Sequence, residues 1–509
     1  MFGDEPAGVM TALELRRRLR QLGGNPNPRV ALVTDADLRA GLGGTLVRSG
    51  LAYLDRNQVP SDMRGLLAPF APSSDLYARF LTLTGVRSIA VDRRRADPAF
   101  RQALRRNGIL VLPNAQLAGT AREGRRLCVL QSRRYGSIGA DLFVDASLGA
   151  DLAHQAAVAF RPGLGPRDLS HESIALGWIF EVQGLSLNDL QQLEAQFTQR
   201  LLNPRDQQAQ GWLATWPRQR DHRPLRSQLL DADGQPRLAY ASTSDSADQR
   251  SPALAIAFHG EEHLPAGLWH GEALLDRANI AVLSDRLSFN ALLFRNTAAQ
   301  NRQVLADGSR PLAEMRPVAA AISRFLHRHG ARRVVWMPEL YVRSADQIAH
   351  PLEPLSADLM ARGGVTRAQA LGTFTYNLDL RGALAKVTPQ ARPTFNFGYR
   401  HTLPRELNNL AVLGPASGYG GLGEGAGRII ELNISVGEGL AIASALALRQ
   451  QIPLAAVQPE RVADQMSSST LPYGRPSRST QAQLLLRRAL YALVHALPEA
   501  LGDQLWDKL

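Results

Sequence analysis

The residues best placed to do chemistry lie at 407–435. Leu410–Leu413 is a short continuous apolar run, the mark of a strand buried on both faces. Seven glycines follow between Gly414 and Gly427, so the backbone there can take φ > 0 and come close to a ligand. A long apolar segment opens near Gly425, with Ile429, Leu432, Val436, Leu440, Ala443 and Ala447 on one helical face. Strand, glycine-rich turn and helix N-terminus together form a site for an anion or dipole, because unpaired N–H groups and the helix dipole point at it. The same order occurs at the chain start. Gly3-Asp-Glu-Pro-Ala-Gly8 leads into an amphipathic helix on which Ala12, Leu15, Leu19 and Leu22 recur, stopped by Gly23-Gly-Asn-Pro26. Arg29–Thr34 then reads as a buried parallel strand ended by Asp35 or Asp37.

Other chemistries fail on spacing. His259-Gly-Glu-Glu-His263 fits an inverted zinc-protease pattern, which needs both histidines on one helical face. Gly260 sits inside it, Pro265 follows, and Ala253–Phe258 just before it reads as a strand, so a polar loop is expected. No metal ligand set is assigned. Lys386 precedes Val387 and Lys508 precedes Leu509, which excludes a phosphate loop of the GxxxxGK[ST] type. No GxSxG is present to make a hydrolase elbow. The single Cys128 excludes an intrachain disulfide, a CxxC pair and a multi-cysteine zinc site.

The 407–435 stretch resembles the C-terminal flavin-contacting segment of FAD-dependent oxidoreductases that share the glutathione-reductase-type FAD domain. Asn409, Leu410, Val412, Leu413, Gly414 and Arg428 carry the match, and Gly398–Pro404 resembles the lead-in. Gly3, Pro6, Ala7 and Gly8 resemble a GxGxxG fingerprint, and Gly43, Gly44, Thr45, Arg48 and Ser49 the Gly-Gly loop lying along the flavin. Asp145-Ala146-Ser147 resembles the returning strand that meets the cofactor. The resemblance implies FAD as cofactor, held by these residues together with Asp35, Pro415 and Gly425. It also implies an unidentified small-molecule substrate, with Arg343, Arg400 and His401 binding an anionic group or moving a proton.

The pattern departs from the family at several positions. Glu5 replaces the second fingerprint glycine, Thr34 stands where relatives carry Glu, Leu148 replaces a close-approach glycine, and Pro415 replaces Arg or Asp. Only Met1 and Phe2 precede Gly3, so the first strand is nearly absent. Either the sequence starts late or the nucleotide site has eroded. These departures keep a second reading open, a catalytically silent member of the fold serving as a binding or scaffold module.

The elements that position these residues imply an α/β fold. A discontinuous, Rossmann-like parallel-sheet FAD domain spans 1–165 and 405–455, and an inserted α+β substrate or cap domain spans 166–404. A linker and amphipathic helical tail fill 456–509. Within the first part, Ser88–Val91 reads as a strand, Asp92–Arg95 as a solvated charge cluster, and 127–147 as a β-meander returning to the parallel sheet. In the insert, Ile280–Leu283 reads as a strand and 311–329 as a helix. Tyr341–Arg343 and Gly372–Asp379 loosely resemble the family's substrate-domain motifs, although Ser344 stands where the first has Glu.

The net charge of +12 rests almost wholly on arginine, since only Lys386 and Lys508 are lysine. Polyanion or nucleic-acid binding is therefore only a third, weaker reading. No signal peptide and no charge-free apolar stretch of about 20 residues is visible, so no membrane span and a cytoplasmic location are expected.

Overall fold

The computed structural model describes residues 1–21, 28–57, 73–165, 169–216, 225–243, 246–248, 252–267, 273–380 and 393–467. The expected linker and helical tail lie beyond residue 467, outside the described residues, apart from a helix at Pro459–Ser467.

Strands from both ends of the chain meet in one parallel arrangement. Ala31–Val33 pairs with Leu110–Leu112, and Leu410–Val412 pairs with Phe143–Asp145, both in parallel. Phe2 bridges the two pairs, making parallel contacts with Val33 and Asp145. Four backbone hydrogen bonds hold it there. Phe2 N donates to Val144 O and Gly3 N to Val33 O, while Val33 N donates to Met1 O, all at 2.8 Å; Ala146 N donates to Phe2 O at 2.6 Å. A central strand needs partners on both edges, and three residues suffice to supply them. Met1–Gly3 thus fill the slot between the two strand pairs.

Two helices lie together on this sheet. Pro6–Gln21 packs along Ile430–Gln450, and at their crossing a Cβ on Gly437 would lie 2.1 Å from Thr11 Oγ1, so only glycine permits this approach. The expected helical face of Leu432, Val436, Leu440, Ala443 and Ala447 is buried, but so is every other residue from Glu431 to Ala447. The helix starts later than its apolar pattern suggests. Glu424–Gly427 forms a separate turn, Ile429 takes an extended conformation (ψ 127°), and regular helix begins at Ile430. At a mean hydropathy of 1.3 over its most apolar window, Ile430–Gln450 is by length and composition apolar enough to cross a bilayer, although it carries Glu431, Glu438 and Arg449. With 94% of that window buried inside the protein, it is placed as a core helix.

A second, antiparallel sheet has six strands in the order Arg333–Trp336, Leu176–Gln183, Leu287–Phe294, Ala273–Val282, Ser246–Asp248, Tyr240–Thr243. Trp178, Phe180, Val182 and Phe289 share a core with residues of the helices Leu187–Leu202, Ala253–Glu261 and Arg316–Arg328. Ile179 and Met337 belong instead to the core of the N-terminal helix, which also takes in Phe374, Tyr376, Phe395 and Phe397. The two sheets are therefore bound by one continuous apolar contact.

Three local expectations are corrected. Ala253–Phe258 is helical, because a six-residue apolar run fits a buried helix as well as a strand and here lies against helices on several sides. His259 sits at the end of this helix and not in a loop, its Nε2 accepting from Leu275 N at 3.0 Å. Among the described residues, Ser88–Val91 makes only a single bridge, Tyr53 to Ala90. The Asp92–Arg95 cluster is partly structural. Asp92 caps the helix Arg93–Arg106 through Arg94 N, and both Arg93 and Arg286 reach the buried Glu181 of the antiparallel sheet.

Candidate functional site

The carboxyl ends of the parallel strands open on a small cavity. Its floor is Pro6 and Ala7 at the start of the N-terminal helix, with Ser147 and Leu148 after one strand and Leu413, Gly414 and Pro415 after another. Tyr341, Val342 and Arg343 close it from the antiparallel-sheet side, and Arg428, Ile430 and Asn433 from the glycine-rich segment.

The N-terminal turn is shaped for close approach. Gly3 has φ 91°, and a Cβ there would lie 2.3 Å from Ser147 N; one on Gly8 would lie 2.6 Å from the Ala146 side chain. Glycine at these two positions lets the helix seat itself on the strand end. Ala7 and Gly8, in the first turn, have N–H groups without intrahelical acceptors. Gly414, at φ 135°, faces open space, since a Cβ there would meet nothing within 4 Å.

Glu5 folds its side chain over the 43–45 turn. Both carboxylate oxygens lie 3.1 Å from Thr45 N, and Oε1 occupies the space a Cβ on Gly44 would need, 2.0 Å away. Its neighbour Asp4 accepts from Gly43 N at 2.9 Å and Gly44 N at 3.4 Å, and forms a buried two-point pair with Arg48 at 2.5 and 3.0 Å. Three successive amides, Gly43, Gly44 and Thr45, thus all donate to the chain's own carboxylates. Arg48 continues to Glu339 at 2.6 Å. Burial and the adjacent Asp4 push the Glu5 carboxyl up to about 7. Burial opposes ionisation of Asp4 too, but Arg48 and the two glycine amides outweigh it and hold this carboxyl below its usual range. One carboxyl of the pair is ionised and the other poised near neutrality.

Arg428 anchors the opposite wall. Its Nη1 donates to Tyr341 Oη at 3.1 Å and its Nη2 to Asp379 Oδ2 at 2.8 Å, while the buried Nε has no partner among the described residues. Gly425 makes this possible by lying against the Leu378–Asp379 backbone, where a Cβ would come within 2.8 Å. The guanidinium of Arg343 lies 4.2 Å from the Tyr341 ring centroid and is fixed by Ala175 O and Asn290 Oδ1 at 2.8 and 2.9 Å. Asn433 accepts from Tyr419 Oη at 2.8 Å and donates to Gly427 O, tying the first turn of the long helix to the glycine-rich segment.

The structure brings Pro6, Ala7, Thr45, Ser147, Arg343, Gly414, Pro415 and Arg428 into this cavity. Gly3, Gly8, Gly43, Gly44 and Ala146 shape its turns. Asp145 lies behind it, fully buried, accepting from Ser147 and Ala153; burial and nearby Asp151 push its carboxyl up to about 7. Asp35 lies outside, exposed and bonded to Leu117 N. Arg400 and His401 line a separate, smaller cleft, with Arg400 paired to Glu353 at 2.9 Å. Burial holds the His401 imidazole down to about 3, so it is neutral, and it packs against Tyr419. Asn433 was not singled out from sequence, and Tyr341 and Asp379 entered only as ends of the two loose motif matches, with no role assigned to either. Tyr341 stands two residues before Arg343, and Asn433 one turn into the helix, a polar position in an apolar run.

The chain belongs to the FAD dependent oxidoreductase family, whose model matches residues 2–466. FAD is the family's cofactor, and this chain is accordingly a flavoprotein oxidoreductase. Among solved structures it is similar to PqsL of P. aeruginosa in complex with 2-aminobenzoylacetate, at 12% identity over 92% of this chain and 91% of that one, TM-score 0.33. It is also similar to a variant of the halogenase PltM in complex with FAD (11%, 90% and 72%, TM-score 0.35) and to the flavin-dependent brominase Bmp2 (10%, 92% and 81%, TM-score 0.37). Likenesses this distant carry no argument about the site. No curated protein shows a significant match.

The residues present suit a flavin dinucleotide in their framework: an open cradle at the strand ends, a helix N-terminus, and glycine backbone facing the cavity. Among the described residues, Glu5 is the one carboxylate lining that cavity.

Proposed function

We propose that the chain is an FAD-dependent oxidoreductase acting on a small organic molecule at the cavity between Gly414, Arg343 and Arg428. The observation that carries this reading is the convergence of two helix N-termini, at Pro6 and Ile430, on one cavity at the carboxyl ends of parallel strands. The arrangement is Rossmann-like, with residues 1–165 and 405–455 as the cofactor part and 166–404 as the substrate part.

Bound FAD supplies the electron transfer. The protein's own groups do the rest. Ala7 and Gly8 N–H groups hold an anionic diphosphate, aided by the helix dipole. Gly414 lets the backbone lie flat against a planar ring. The N-terminus of Ile430–Gln450 favours negative charge at the inner end of the cavity. Arg343, stacked on Tyr341 and held by Asn290, offers a fixed cation to an acidic or carbonyl group of the substrate. Leu148 and Pro415 present apolar walls that exclude water.

The purified chain should take up FAD, show a flavin visible spectrum, and bleach on anaerobic reduction. A protein that stays colourless with FAD added would overturn this reading in favour of a silent binding module.

A further inference from the structure

We propose that Glu5 determines which flavins this site accepts: its carboxylate holds the Thr45 amide beside the diphosphate position, so a flavin carrying a diphosphate binds only with uptake of a proton, whereas one without a diphosphate does not. This rests on the FAD reading above and deepens it.

The geometry is specific. Glu5 immediately precedes Pro6, so it stands at the mouth of the helix N-terminus that would receive a phosphate. Its side chain is partly buried at the cavity wall. It crosses to the 43–45 turn, fills the space above Gly44, and puts both oxygens within 3.1 Å of Thr45 N. A diphosphate on Ala7 and Gly8 would then lie against a carboxylate, and two like charges about 4 Å apart repel by about 1–4 kcal/mol at surface-like to water-like dielectric. A protonated carboxyl reverses the contact, because its O–H can donate to a phosphate oxygen.

The groups facing Glu5 favour that exchange. Asp4, beside it, is held ionised by Arg48, so the pair carries one fixed negative charge. Thr45 lies in the helix Gly44–Val47 and Arg48 at its C-terminal cap, Glu339, Tyr341 and Arg343 come from the antiparallel-sheet side, and Arg428 from the glycine-rich segment. Burial and Asp4 place the Glu5 carboxyl at about 7, so the exchange falls in the neutral range. Asp145, also near 7, and Asp151, near 6, lie behind the Ser147 turn, and the test must separate them from Glu5.

The experiment measures dissociation constants of FAD and of riboflavin by flavin fluorescence from about pH 5.5 to 8.5, for the full chain and for Glu5→Gln. The expected result for the unaltered chain is FAD affinity that weakens above about pH 7, approaching tenfold per pH unit, with riboflavin affinity flat. Glu5→Gln should bind FAD with no such slope. A flat FAD profile in the unaltered chain overturns the proposal, as does a slope that survives in Glu5→Gln, which would assign the proton to Asp145 or Asp151. Failure of both flavins to bind either chain at any pH would instead remove the FAD reading itself.

Discussion

Arg428 Nη2 lies 2.8 Å from Asp379 Oδ2, joining the glycine-rich segment to the loop that follows the strand Gly372–Thr375. Tyr341 Oη accepts from the other terminal nitrogen of the same guanidinium. The two stretches that loosely match the family's substrate-domain motifs, Tyr341–Arg343 and Gly372–Asp379, therefore converge on one cation at the cavity wall.

Replacing that cation tests the site without touching Glu5. Arg428→Ala should weaken FAD by about 10- to 100-fold, the loss expected when a charged hydrogen-bonding group of about 1.5–3 kcal/mol is removed. Asp379→Asn keeps the guanidinium and only loosens it, so its effect should be smaller. Flavin titration alongside thermal melting reads both. Unchanged affinity in a folded Arg428→Ala protein would place the cofactor elsewhere.

The crossing of Pro6–Gln21 on Ile430–Gln450 makes a sharp packing prediction. Thr11 Oγ1 is buried, has no hydrogen-bond partner among the described residues, and lies where a Gly437 side chain would go. Gly437→Ala should cost about 1–3 kcal/mol through overpacking. Thr11→Ala alone should be near neutral, since it removes an unpaired hydroxyl. The double variant should recover most of the loss, because the next nearest atoms, on Leu413 and Thr11, are 3.4 and 3.5 Å from that Cβ. Urea unfolding of the four proteins closes the cycle, and strict additivity would contradict the proposed contact.

Glu14 makes the acid limb of stability predictable. Burial alone would raise its carboxyl, but Arg17, Arg79 and Arg18 surround it and pull it down to about 2, from 4.5. A folded value below the unfolded one means the contribution is present above about pH 4.5 and is lost as pH falls towards 2. The shift corresponds to something on the order of 3 kcal/mol. Glu14→Gln should lower stability at pH 7 by about that much and flatten the decline between those values. Parallel acid limbs in the two proteins would show that Glu14 is not the group responsible.

Much of the framework was legible in the residue pattern. The apolar run at Leu410–Leu413, the glycines after it and the small-residue helix beyond are local signals, each set by propensity and period within one stretch. That this strand shares a sheet with the chain start was implied by family resemblance, and it lies beside Phe143–Asp145, which Phe2 bridges. What the residues alone determined was therefore which segments are strand, turn and helix around the cavity, because those choices depend on neighbours within a few positions.

Tertiary contact decided the remainder. Two residues before Gly3 look too few for a strand, yet Phe2 is held by partners from Val33 and Val144, far off in sequence. Ala253–Phe258 carries no periodic signal to separate strand from helix, and only its packing against other helices settles it. Arg400 and His401 look as reactive as Arg343 on paper, but the fold turns them into a different cleft, where burial leaves the imidazole neutral. Glu5 reads as a damaged fingerprint until the 43–45 turn folds beneath it. Its role then follows from a contact spanning forty positions, since the charge state of a carboxyl is set by what surrounds it in space.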